Sequence, residues 1–266
     1  MHVHFLDPYR PRQSAIHRLD PRVKLVMALA FIFTTALTPV GAWPIYILLL
    51  AIILSVILLS DLGLAYIWKR AALAFPFVLA ALPIIFTAPG PTLFEIPIGQ
   101  WTLSVSIPGL ERFLSIAIKS WISVQAAIVL AASTSFPDLL VAMRAIRIPR
   151  MLVSIFGLMW RYLFVLADEV LRLNRARASR SGQLDMPGLR SGGSVAWRAR
   201  VTGGMAGNLF LRALERSDRI YMAMLSRGYD GEIRSLPLPK LKTSQLAVLA
   251  AALAVLALLL LLSFVL

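Results

Sequence analysis

Apolar positions in this chain gather into runs of helix length, separated by short stretches that carry proline, glycine or positive charge. Five runs approach the ~20 residues an α-helix needs to cross hydrocarbon: about 24–38, 43–60, 71–88, 113–133 and 245–266. Asp20 followed by Pro21 reads as the N-cap and first residue of the first helix. Pro39 and Gly41 separate the first two runs so narrowly that they form a helical hairpin, and Lys69 and Arg70 sit between the second and third. The last run contains no charged residue.

Between the fourth and fifth runs the pattern changes to amphipathic helix. Residues 134–150 form a short basic helix bracketed by Pro137 and Pro149. A long helix follows over about 150–181, with Leu163, Leu166, Val170 and Leu173 on one side and Arg161, Asp168, Arg172 and Arg175 opposite. Its first part, Leu152 to Leu166, is apolar enough to suggest a sixth crossing, which stays as the alternative. Arg161 interrupts it and both flanks are basic, so the reading preferred is a helix along or below the membrane face. Residues 182–208 hold seven glycines and read as a connector that allows a tight bend. A second basic helix spans about 207–227: Arg212, Arg216, Arg219 and Arg227 share one face, and Leu211, Leu214, Tyr221 and Leu225 lie opposite. Gly228 stands where a helix C-cap wants a left-handed residue. Taken alone, this arginine ridge is a solvated face on a helix packed by its leucines. Residues 232–244 are a polar, proline-containing bridge.

The expected fold is therefore an all-α integral membrane protein with about five transmembrane helices and a cytoplasmic module of long amphipathic helices. Its layout is an N-terminal segment (1–23), a four-helix membrane region (24–133), a cytoplasmic helical domain (134–244) and a C-terminal membrane helix (245–266). The long connection 89–110 has one acid, Glu95, and no Lys or Arg. The positive-inside rule places it outside, the N-terminus in the cytoplasm and the C-terminus on the outer side of a bacterial cell membrane.

Composition supports the membrane assignment. Of 266 residues, 59% are hydrophobic and 15% charged, against about 45–50% and 25% in soluble domains. The net charge is +14, and residues 161–242 hold 15 of the 27 Lys and Arg with 7 acids, hence +8 of it. Charge concentrated in one block, with no aromatic stacking platform, argues against nucleic acid as a partner and for anionic lipid headgroups or an acidic protein groove. Cysteine is absent, which removes disulfides, thiolate metal sites and cysteine nucleophiles. No small-residue cleavage site follows the basic N-terminal segment, so no removable signal peptide is expected.

No catalytic set is visible, and neither a cofactor nor a resident metal is expected. His2 and His4 could ligate a metal, but the three histidines all lie within the first 17 residues and metal sites need three or four ligands. No glycine is followed by lysine, which excludes a P-loop. Lys119 and Gln125 fall inside the fourth run; Lys119 either snorkels to the interface or faces another helix, a partner or a polar path.

Four segments carry a family resemblance: Leu19-Asp20-Pro21-Arg22-Val23-Lys24-Leu25; Thr134-Ser135-Phe136-Pro137-Asp138-Leu139-Leu140; Ala178-Ser179-Arg180-Ser181-Gly182; and Ala223-Met224-Leu225-Ser226-Arg227-Gly228-Tyr229-Asp230-Gly231. With them the chain resembles the transmembrane T component of energy-coupling factor (ECF) transporters, in particular the cobalt-transport branch of the CbiQ type. In that family two Ala-Arg-Gly motifs end two coupling helices, and each arginine docks into a groove on one subunit of an ATP-binding cassette ATPase dimer. The resemblance implies ATPase docking by Ser226, Arg227 and Gly228, with serine in place of alanine, and by Arg180, whose motif keeps only the arginine. Arg177 is a substitute for it, and Arg212, Arg216 and Arg219 would form the supporting face. It further implies a non-catalytic coupling subunit of an ATP-driven importer for cobalt or nickel, working with a separate substrate-specific membrane subunit. Two competing readings are a stand-alone membrane protein whose basic module binds anionic lipid or nucleic acid, and a chain that conducts the ion itself.

Overall fold

The computed structural model describes residues 8–98, 101–180, 194–231 and 241–265, so His2, His4, Ser181, Gly182 and the glycines at 188, 192 and 193 lie outside them. The described residues fall into two compact units, 8–146 with 241–265 and 147–231. Five helical segments are long and apolar enough to cross a membrane: Trp43–Ser60, Leu64–Thr87, Ile107–Ser133, Arg150–Arg180 and Thr243–Val265.

The first unit opens with α1 (Pro21–Leu37). As expected, Asp20 caps it, its carboxylate accepting from the Arg22 amide at 2.9 Å, and Pro21 is the first helical residue. At 17 residues α1 is at the short end of the range that spans hydrocarbon. The hairpin with α2 (Trp43–Ser60) forms as read. Lys119, from the fourth apolar run, donates to the Thr38 carbonyl at the end of α1, so it faces a neighbouring helix. Its ammonium meets the negative end of the helix dipole there.

The third run differs from a single helix over 71–88. Asp61 and Gly63, both at positive φ, turn the chain tightly enough for a helix to restart at once. The result is α3 (Leu64–Ala71), a 3₁₀ turn (Ala72–Ala74), α4 (Phe75–Leu79) and α5 (Ile84–Thr87). Lys69 and Arg70 are thus inside α3 rather than between helices, with Ile67 and Ala71 fully buried on the other side. Pro76 and Pro83 remove backbone donors, which accounts for the breaks.

The connection 89–110 contains an antiparallel pair, β1 (Thr92–Ile98) and β2 (Trp101–Ser106). Its β-branched and aromatic residues suit strands, a signal masked in the sequence by the surrounding prolines. The fourth run is longer than read: α6 spans Ile107–Ser133, capped by Ser106. A Cβ on Gly109 would sit 2.7 and 2.8 Å from the carbonyl oxygens of Ile85 and Ile84, so only glycine lets α6 approach α5 there.

α7 (Phe136–Ala145) is the short basic helix, capped by Ser135, and packs against α1. α10 (Thr243–Val265) completes the unit. Its core is built at four-residue spacing from Ile45, Leu49, Ile53 and Ile57 of α2, against Ile122, Ala126 and Val129 of α6 and Leu256 and Leu259 of α10. The outward side chains, such as Ile47, Leu58, Phe77 and Leu261, are apolar too. That two-sided apolarity is the mark of helices solvated by lipid, where association rests on packing rather than on exclusion of water. Gln125 is fully buried in this core, and its amide has no hydrogen-bond partner among the described residues.

Candidate docking site

The second unit consists of α8 (Arg150–Arg180) and α9 (Val195–Leu225). α9 starts a dozen residues earlier than expected. Gly203, Gly204 and Gly207, read as part of a bending connector, are interior residues of the helix, with open space around each. Ser194 caps the helix by accepting from the Trp197 amide, a start signal the glycine count obscured.

The two helices run antiparallel. Arg177 near the end of α8 donates to the Thr202 hydroxyl early in α9 at 3.3 Å. Glu169 pairs with Arg212 at 2.9 Å, and Leu158 and Tyr162 face Ile220 and Met224 across a cleft of about 380 Å³. The amphipathic reading of α9 holds in part: Arg212, Arg219 and Arg227 are exposed, but Arg216 is half-buried and the leucine side is not the packed one. Leu209, Ala213, Arg216, Ile220 and Met224 form the half-buried side, whereas Leu211, Leu214, Tyr221 and Leu225 are exposed. Arg212 and Arg216 therefore point toward α8, one onto a carboxylate and the other into the cleft wall. Arg219 is exposed. Glu169, half-buried on α8, accepts from the Arg212 guanidinium, which itself stays largely exposed. On α8, Leu166 and Leu173 are half-buried as expected, but Leu163 and Val170 are exposed; Leu158, Tyr162, Glu169 and Arg177 are half-buried too, as is Asp168, which was expected on the polar side.

Arg227 lies just past α9, in its closing turn rather than within the helix. Ser226 is the C-cap residue and bonds through its hydroxyl to the Ala223 carbonyl. The Gly228 amide bonds to the Leu225 carbonyl at 2.9 Å, and the Tyr229 amide reaches back to the Met224 carbonyl at 3.0 Å. With Gly228 at φ +80 this is a Schellman closure, as the glycine suggested. Tyr229 lines the cleft between the helices and anchors the turn against the pair. In the sequence it stands only as part of the segment around Arg227, with no periodicity to mark this contact. Arg227 is left exposed on a fixed backbone.

Arg180, the last residue of α8, is exposed as well. Arg177 is turned onto α9 instead, so of the two it is the one engaged within the helix pair. Thr202 sits beside Arg177, and 25 residues at 1.5 Å each separate it from Arg227. The two exposed arginines thus stand at opposite ends of the pair, about 40 Å apart. Among the described residues, no group of three His, Asp or Glu could hold a metal ion.

The described residues thus form a predominantly helical, multi-pass membrane protein that carries a long antiparallel helix pair. The chain belongs to the cobalt transport protein family CbiQ, whose model matches residues 12–237. It is similar to the energy-coupling factor transporter transmembrane protein EcfT of Staphylococcus aureus, 27% identical over 88% of this chain and 87% of that protein. It is also similar to the cobalt transport protein CbiQ of Rhodobacter capsulatus, 27% identical over 66% of this chain and 68% of that one. An uncharacterised protein of Methanocaldococcus jannaschii is 26% identical over 97% of the chain and 86% of its own length.

Proposed function

We propose that this chain is the non-catalytic coupling subunit of an ATP-driven ECF-type importer for a divalent transition metal, with cobalt as the cargo. The observation that carries the reading is the pair of exposed arginines, Arg180 and Arg227, at opposite ends of one antiparallel helix pair. Tips at opposite ends suit one contact with each subunit of an ATPase dimer. Arginine suits the role because its planar guanidinium makes a bidentate, charge-assisted contact to a carboxylate, a geometry that lysine cannot reproduce. The Schellman turn fixes where the Arg227 side chain starts, which lowers the entropy lost on docking. When the ATPase subunits close, the two tips are drawn together and the helix pair shifts as a lever, tilting the substrate-specific membrane subunit that holds the metal. The N-terminus and the helix pair lie on the cytoplasmic side in this reading, and the C-terminus lies outside.

Charge reversal tests the proposal. Arg180→Glu with Arg227→Glu should abolish copurification of the ATPase subunits and ATP-dependent cobalt uptake while the chain still reaches the membrane. Normal assembly and uptake in the double variant would refute it. Binding that falls with the number of arginines removed, whatever their position, would point to an anionic lipid surface instead.

A further inference from the structure

In the first unit two arginines converge on one tyrosine. Tyr66 and Arg70 stand one turn apart on α3, and Arg10, from the segment before α1, reaches the same ring. The Arg10 guanidinium lies 3.6 Å from the ring centre and that of Arg70 4.8 Å. Lys69, exposed three residues after Tyr66, adds a third cation. Among the described residues no carboxylate pairs with either guanidinium, Asp61 in the turn before α3 included, and neither guanidinium donates a hydrogen bond.

Arg10 is held there by its backbone. Its amide donates to the Ala132 carbonyl at 3.0 Å, and its carbonyl accepts from His17 Nε2 at 3.1 Å, with Ser14 Oγ on the other ring nitrogen at 2.7 Å. Lys24 donates to the adjacent Ser133 carbonyl at 2.8 Å, so the segment is tied to the end of α6 at two successive residues. The Arg10 side chain is nevertheless exposed, and that of Arg70 is half-buried. Beyond Arg70 the outward residues turn apolar: Leu73 is 76% exposed and Phe77 80%. In a membrane protein such side chains face lipid, which sets the cations before them at the level of the headgroups. Each guanidinium is attracted to the ring and repelled by the other. An anion shared by both relieves that repulsion and takes up the in-plane N–H donors that contact through the π face leaves unused.

We propose that Arg10 and Arg70, gathered on Tyr66, hold the phosphate of an anionic phospholipid whose acyl chains run along Leu73 and Phe77. That ligand meets the cations and the apolar residues beside them at once. A zwitterionic headgroup would bring its own ammonium against three cations, and a free phosphate would leave Leu73 and Phe77 unmatched. The proposal is independent of the arginine tips.

Native mass spectrometry of the full chain, released from detergent after titration with phosphatidylglycerol or phosphatidylcholine of matched chains, tests it. Wild type should retain phosphatidylglycerol about fivefold better than phosphatidylcholine. Arg10→Gln, which keeps the backbone bonds of residue 10, and Arg70→Gln should each remove most of that preference. Arg18→Gln, which removes an exposed cation of the same segment that is not on the ring, should keep it. Inorganic phosphate at the concentration of the lipid should not displace phosphatidylglycerol. Should Arg70→Gln fail to fold, Arg10→Gln, altered only in an exposed side chain, decides the matter. Equal retention of the two lipids by wild type or an unchanged preference in Arg10→Gln would overturn the proposal. So would an equal loss in Arg18→Gln, which would mean diffuse attraction, or displacement by inorganic phosphate, which would mean a site for a free anion. Loss of the bound lipid when the partner subunits assemble would overturn it too, since an acidic protein would then be the occupant.

Discussion

At Gly228 the backbone adopts φ +80, with nothing within 4 Å of where a Cβ would stand. The demand for glycine is therefore conformational rather than steric, and Gly228→Ala should cost about 1 kcal/mol of left-handed strain. Because that strain is confined to the turn, hydrogen exchange of the 226–229 amides should speed up while α9 stays protected, and ATPase binding should weaken. His17 gives a second prediction. Burial first, and the charges of Lys24 and Arg12 after it, hold its imidazole below the ordinary value of 6.5, against opposing effects of the Arg10 carbonyl and Asp61. The folded chain then binds fewer protons at His17 than the unfolded chain. Stability from this group is complete above about pH 6.5 and is lost as the pH falls below it. A melting series from about pH 7.5 to about 5.5 should show a larger fall for wild type than for His17→Gln. Some of these residues could be read in the sequence and others could not. Gly228 and the Asp20 cap announce themselves because local backbone geometry dictates residue type. Tyr229, Glu169 and Lys24 act through partners distant in sequence, which no local pattern reveals.

At the scale of elements, spans and long helices were legible because apolar runs set helix length directly. The faces of α9 were not. A helical wheel separates arginines from leucines but is silent on which side meets a neighbour, and here Leu209, Ala213, Ile220 and Met224 are half-buried, with Arg216 among them. The exposed Leu211, Leu214 and Tyr221 follow from the same choice. Glycine also misled: three of the connector glycines lie inside α9 because the Ser194 cap begins the helix ahead of them. Each has room for a methyl group, so Gly203→Ala or Gly204→Ala should stabilise α9 by about 0.5–1 kcal/mol. A raised melting temperature and slower exchange across 200–210 would show it; a lowered one would mean these positions are covered in the native protein.

For the molecule as a whole, the sequence conveyed class and division of labour: apolar helices for the bilayer, a charged helix pair for contact with something else. The hairpin of β1 and β2 and the broken third segment escaped because prolines and short elements weaken every periodic signal. A tight bend between the two long helices was expected, but the contacts that hold α8 antiparallel to α9, such as Arg177 with Thr202, are long-range and not legible in the sequence. That pairing sets the two arginine tips about 40 Å apart, and the coupling proposal depends on it. The most direct measurement places a photo-crosslinking amino acid at position 180 or 227 of the full chain, co-expressed with its ATPase subunits. Both positions should give adducts with ATPase, and a chain carrying both should bridge two ATPase subunits. Adducts to lipid alone, or to ATPase from only one of the two positions, would contradict the account.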